Sequence, residues 1–132
     1  MFDPLQGFIV FLLVTVALLG ATVATGLKAK LRAHLPLVVL TVASLGLAIY
    51  YAEQLGKLYN LDAAGAIKPV HLALAKIATL SYLAPLASGV ATLRNRAHRK
   101  LHLKLALATV VLTVLAAVTG AWMILAAEPL AG

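Results

Sequence analysis

The chain has 132 residues, 63% hydrophobic and only 11% charged, and a soluble domain of this size needs a polar exterior that such a composition cannot supply. The formal net charge of +7 suggests nucleic acid, but the basic residues sit beside apolar runs, which fits membrane topology and anionic head groups instead. The absence of cysteine excludes disulfides, iron–sulfur clusters, thiolate-bound zinc and c-type haem attachment.

Met1-Phe2-Asp3-Pro4 lacks the basic start of a secretory signal, and the apolar run after it has the length of a full span. The expectation is therefore a retained first helix, span one, over 8–27. Gly20, Ala24 and the neighbouring threonines predict its packing face. Lys28, Lys30 and Arg32 close it. Span two, over 35–52, opens on His34-Leu35-Pro36, because proline fits the first turn of a helix. It ends on Tyr50-Tyr51, read as an interfacial anchor. The long connection from Glu53 to Lys68 is expected to hold a short interfacial helix.

Span three, over 69–93, contains Pro85, which predicts a kink that neighbouring helices accommodate. Lys76 interrupts its outer half, and snorkelling, pairing with Glu53 or contact with another subunit would each accommodate the charge. The basic turn Arg94-Asn95-Arg96-Ala97-His98-Arg99-Lys100-Leu101-His102-Leu103-Lys104 follows and holds five of the eleven cationic residues. Span four, over 105–127, is uncharged, carries Trp122 near its end and stops at Glu128-Pro129. The fold class is all-α and integral to the membrane: a four-helix transmembrane bundle forming one four-span domain over 1–132.

The first and third connections lie on one side and carry Lys28, Lys30, Arg32, Arg94, Arg96, Arg99 and Lys100. All four carboxylates, Asp3, Glu53, Asp62 and Glu128, fall on the other. The positive-inside rule then places the basic turns in the cytoplasm and both termini outside. The expected location is the inner membrane of a bacterium. The two halves share a coarse order of span, basic turn, histidine and span.

The histidines are the best candidates for chemistry, because polar groups at lipid depth are costly and usually partnered. Helical steps from His102 reach Ala106, Thr109, Thr113, Ala116 and Gly120, a stripe of small residues suited to facing other helices. Steps from His34 reach Thr41, Ala48 and Ala52, and steps from His71 reach Ala75, Ala78, Tyr82, Pro85 and Gly89. His34 and His102 open their spans on the same side, while His71 enters from the other, roughly 20 Å or more away at ~1.5 Å per residue. The sharp reading is a haem b between spans two and four, with His34 and His102 as axial metal ligands. Lys30, Arg32, Arg99, Lys100 and Lys104 would neutralise its propionates, and His98, one turn before His102, is an alternate ligand. The plain reading makes these residues interfacial groups binding lipid head groups. A divalent metal on His98 and His102 has suitable spacing but five nearby cations and no carboxylate. For His71, a haem shared with Met123 and a quinone pocket with Tyr82 stand beside the plain reading of a buried, hydrogen-bonded imidazole.

From His34 to Met123 the chain resembles the CtaM-like family of small four-helix bacterial membrane proteins, implicated in maturation of haem–copper oxidases. The resemblance rests on His34 opening a span, Tyr50 or Tyr51 near its end, Lys68-Pro69, Ala84-Pro85-Leu86, the turn His98-Arg99-Lys100 and Thr119-Gly120. Where that family has a histidine well inside a helix, Lys76 stands here. The basic turn with its histidine and late Thr-Gly is also similar to the last helices of small membrane b-type cytochromes. Both resemblances imply respiratory or photosynthetic electron-transfer membranes.

No nucleophile–base pair, carboxylate pair or phosphate-cradling glycine loop is present, so the chain reads as an electron carrier or accessory subunit rather than a stand-alone enzyme. The leading expectation is a membrane component of an electron-transfer complex that binds haem b and exchanges electrons with a partner or quinone. The alternative is a non-catalytic accessory or assembly subunit of such a complex. The expected partners are the lipid bilayer and other membrane subunits, with no nucleic acid.

Overall fold

Proline at the first turn and aspartate before it start the first helix four residues earlier than hydropathy alone places it. The Asp3 carboxylate accepts from the Gln6 N–H at 2.8 Å, and Pro4 occupies the first helical position, where its missing N–H is not needed. The computed structural model describes residues 2–130. They form α1 (Pro4–Leu27), α2 (Leu31–Gly56), a 3-10 turn (Leu61–Ala64), α3 (Ile67–Ser81), α4 (Leu83–Arg94), a second 3-10 turn (Arg96–His98) and α5 (Arg99–Ala126). Four stretches, Pro4–Leu27, Leu31–Gly56, Ile67–Arg94 and Arg96–Ala126, are helical and apolar over lengths sufficient to cross a membrane. The all-α, four-span class is therefore the observed one.

The helices group into two units, one ending at Tyr59 and taking back the chain from Pro129, the other running from Asn60 to Glu128. Two-residue strands at Tyr59–Asn60 and Glu128–Pro129 stand at the two crossings between units.

The first unit is an antiparallel hairpin of α1 and α2. Its turn is closed by the Lys30 N–H on the Thr25 carbonyl at 2.9 Å, with Ala29 at φ 54, the left-handed arrangement common at helix ends. Lipid gives apolar side chains no reason to hide, so this interface is built from small residues and hydroxyls. Thr15 and Ser44 meet at 2.7 Å, and Thr22 and Thr41 at 2.9 Å. Thr15, Thr41 and Ser44 are buried, and each threonine hydroxyl also lies within hydrogen-bond reach of a carbonyl in its own helix. Of Thr22 and Thr41, one therefore gives its single proton to the other, and the other gives its proton to its own helix. Gly7, Thr15, Thr22 and Gly26 lie on one face of α1. The expected face through Gly20 and Ala24 is exposed instead, and no atom lies within 4 Å of a Cβ built on Gly20. Small residues are common all round this helix, so their presence did not select the face; the hydroxyl and glycine spacing did. At the end of the hairpin away from its turn the Tyr51 ring lies on Gly7 and stacks on Phe11 with centroids 5.7 Å apart. Tyr51 is thus a packing residue, while Tyr50 is exposed.

The second unit packs α3 and α4 along α5. The helix expected to kink at Pro85 breaks at Tyr82. Proline has no N–H to give the carbonyl four residues before it, which is that of Ser81. The Thr109 hydroxyl, on α5, donates to this carbonyl at 3.1 Å. The Tyr82 hydroxyl and Thr113 lie 2.8 Å apart beside it. In the connection before α3 Lys68 pairs with Asp62 at 2.6 Å, the ion pair found among the described residues. That connection turns at Gly65, whose φ of 75 suits glycine.

Candidate functional site

Each of three histidines lies with its ring on a glycine of the neighbouring helix in its own unit. A Cβ built on Gly26 would stand 2.9 Å from His34 Cε1, one on Gly89 3.2 Å from His102 Cε1, and one on Gly120 2.8 Å from His71 Cε1. Only glycine lets the helix backbone come this close to an imidazole without displacing it. All three rings are half-buried.

Each ring is also tied through Nδ1. His34 Nδ1 lies 2.9 Å from the Thr22 carbonyl and 3.2 Å from the Thr25 hydroxyl. A carbonyl only accepts, so Nδ1 carries the proton and, in the neutral ring, Nε2 carries the lone pair. His102 Nδ1 lies 3.0 Å from the Ser88 hydroxyl. Ser88 gives its proton to the Pro85 carbonyl at 3.3 Å, so its oxygen accepts from Nδ1–H. His71 Nδ1 lies 3.0 Å from the Thr119 hydroxyl, which donates to the Leu115 carbonyl at 2.8 Å. The same tautomer follows in all three.

The stripes predicted from the histidines are faces within hairpins. Thr41 and Ala48 on the His34 stripe and Thr109 on the His102 stripe are buried, and Thr113 of that stripe meets Tyr82. On the His71 stripe Ala78 is buried. His71 lies on Gly120, eighteen positions along α5 from His102, a rise of ~27 Å.

The remaining candidates stand apart. His98 is exposed on the 3-10 turn before α5 and makes no side-chain cap bond there. Arg99 is half-buried, while Lys100 and Lys104 are exposed. Tyr82 and His71 bond to Thr113 and Thr119, six positions apart on α5, so they occupy levels ~9 Å apart along the helix. Met123 is buried and Trp122 exposed. Lys76 is exposed on α3 and forms no ion pair among the described residues. No group of three or more histidine, aspartate or glutamate side chains able to hold a metal ion occurs among the described residues.

The helical stripes already held Thr41 and Thr109, but neither Ser88 nor the seating of each histidine on a glycine was read from the sequence. A signal for the threonines exists in the chain. His34-Leu35-Pro36-Leu37 leads to Thr41-Val42 just as His102-Leu103-Lys104-Leu105 leads to Thr109-Val110, with histidine and threonine two turns apart on one face. Both threonines then bond to the neighbouring helix of their own hairpin. No family model matches the chain, and no curated protein or solved structure is significantly similar to it.

Proposed function

We propose that the protein is a small integral membrane component of an electron-transfer complex in which His34 and His102 would hold haem b. The observation that carries this reading is the His34 hydrogen bond to the Thr22 carbonyl. Iron takes the unprotonated nitrogen of a neutral imidazole, and the other N–H is usually held by a carbonyl or hydroxyl that fixes ring orientation and strengthens the ligand. The Thr22 carbonyl can only accept, so His34 Nδ1 is the donor, and the hydroxyl at His102 Nδ1 is consistent with the same role there.

Haem would supply one-electron chemistry. The chain's own residues would hold and orient it and set the charge around it. Gly26 and Gly89 keep the two rings close against their helices. Arg99, half-buried next to the His102 turn, is the better propionate partner than exposed Lys100. Lys30 and Arg32 do the same beside His34. Electrons would pass to a partner subunit or a quinone, with the basic turns on the cytoplasmic side of a bacterial inner membrane.

The test is an absorption spectrum of the full chain purified from haem-replete cells. The expected result is a six-coordinate bis-imidazole spectrum, lost in His34→Ala and in His102→Ala variants that keep wild-type helicity. A folded, colourless wild-type protein would overturn the proposal.

A second reading is an accessory or assembly subunit, favoured by Lys76. A cation exposed on a membrane span, with no ion pair among the described residues, suits a partner subunit that offers a carboxylate at that depth. A colourless protein whose Lys76→Met variant no longer enters its parent complex would support that reading instead.

A further inference from the structure

The exposed face of α5 combines cations at one end, an apolar track and an indole at the other. Lys100 and Lys104 are one turn apart and exposed. Leu107, Val111 and Val118 continue the same face and are exposed, and Trp122 ends it at 60% exposure. From Lys100 to Trp122 the helix rises ~33 Å, close to the ~30 Å thickness of a bilayer hydrocarbon core.

The lysines have no counter-ion along this stretch of chain. No carboxylate occurs between Asp62 and Glu128, and the ion pair among the described residues is Lys68 with Asp62. Lys100 also lies in the first turn of α5, where the positive end of the helix dipole opposes a cation. An anion from outside the chain relieves both effects. Free phosphate would use only the charge. A lipid also uses the apolar face that runs directly on from it.

We propose that this face seats an acidic phospholipid, with its head-group phosphate on Lys100 and Lys104 and an acyl chain along Leu107 and Val111. Ammonium groups attract anionic lipid as compact, hydrated charges, and their long stems reach the head-group level from within the span.

The experiment is native mass spectrometry of the full-length protein released from vesicles of equimolar phosphatidylglycerol and phosphatidylcholine. The expected result is retention of phosphatidylglycerol in preference to phosphatidylcholine. Each lysine removed lowers that preference by about fivefold at low ionic strength, so K100Q/K104Q largely abolishes it, while K57Q, on the opposite connection, leaves it unchanged. Circular dichroism of K100Q/K104Q confirms that the variant is folded. Equal retention of the two lipids by the wild type, or an undiminished preference in folded K100Q/K104Q, overturns the proposal. So does displacement of the bound lipid by inorganic phosphate, which would make the cluster a site for the free anion.

Discussion

The hydroxyl of Thr109 donates to the carbonyl of Ser81 at 3.1 Å, replacing the backbone donor that Pro85 lacks. Thr109 is 2% exposed, so water cannot make the substitution. A buried carbonyl left without a donor costs about 1–3 kcal/mol. Thr109→Val keeps the shape and removes the donor, and is expected to lower stability by about 1–2 kcal/mol. Pro85→Ala restores a backbone N–H to the same carbonyl. In that background Thr109→Val should fall to about 0.6 kcal/mol, the usual size of a hydrogen bond between membrane helices. A double-mutant cycle measured by denaturant unfolding in micelles checks the coupling. Equal effects of Thr109→Val in the two backgrounds would show that the hydroxyl does not act through Pro85.

Glycines in the first hairpin should respond with opposite signs. A methyl on Gly7 would enter the space of the Tyr51 ring, which is already stacked on Phe11. Gly7→Ala is therefore expected to cost about 1–3 kcal/mol through overpacking. Gly20 faces open space, and Gly20→Ala should gain up to about 1 kcal/mol from helix propensity alone. Thermal unfolding of the two variants in one detergent decides it. Stabilisation by Gly7→Ala would mean that Tyr51 does not sit on this glycine.

The four spans were legible because lipid imposes an apolar length on each helix, whereas the start of α1 was placed late because hydropathy, not the Asp3-Pro4 cap, set the expected bound. The stripes through His34, His71 and His102 pointed to packing faces for the same reason that any helical repeat does. Gly20 and Ala24 misled because small side chains occur on every face of α1, and only the matching hydroxyls of α2 select among them. Pro85 announced a break but not its repair, since Thr109 lies in a different helix and nothing local to Ser81 names it. The glycine seats were hidden similarly. Gly89 is informative only once α5 brings His102 against it.

The orientation of the basic turns can be read with single cysteines, because the natural chain has none. Ala63 and Arg96 are exposed and lie in the connections on opposite sides of span three. With the basic turns cytoplasmic, an impermeant maleimide added to intact cells should label Ala63→Cys at once. Arg96→Cys should react only after lysis. Labelling of Arg96→Cys in intact cells would invert the topology and place the His34 and His102 turns outside.

His71 separates the haem assignment from a general dependence on histidine. Its seat on Gly120 and Thr119 has the same design as the other two, yet it stands ~27 Å along α5 from His102. A haem held by His34 and His102 cannot also use His71. His71→Ala should therefore leave the bis-imidazole spectrum intact, while lowering stability by about 1 kcal/mol through the lost Thr119 bond. The cavity over Gly120 would add to that cost. His102→Ala should lose both spectrum and stability. The paired measurement is absorption and unfolding on the same samples. Loss of the haem bands in a folded His71→Ala variant would move the ligand to the other end of α5 and remove His102 from the assignment.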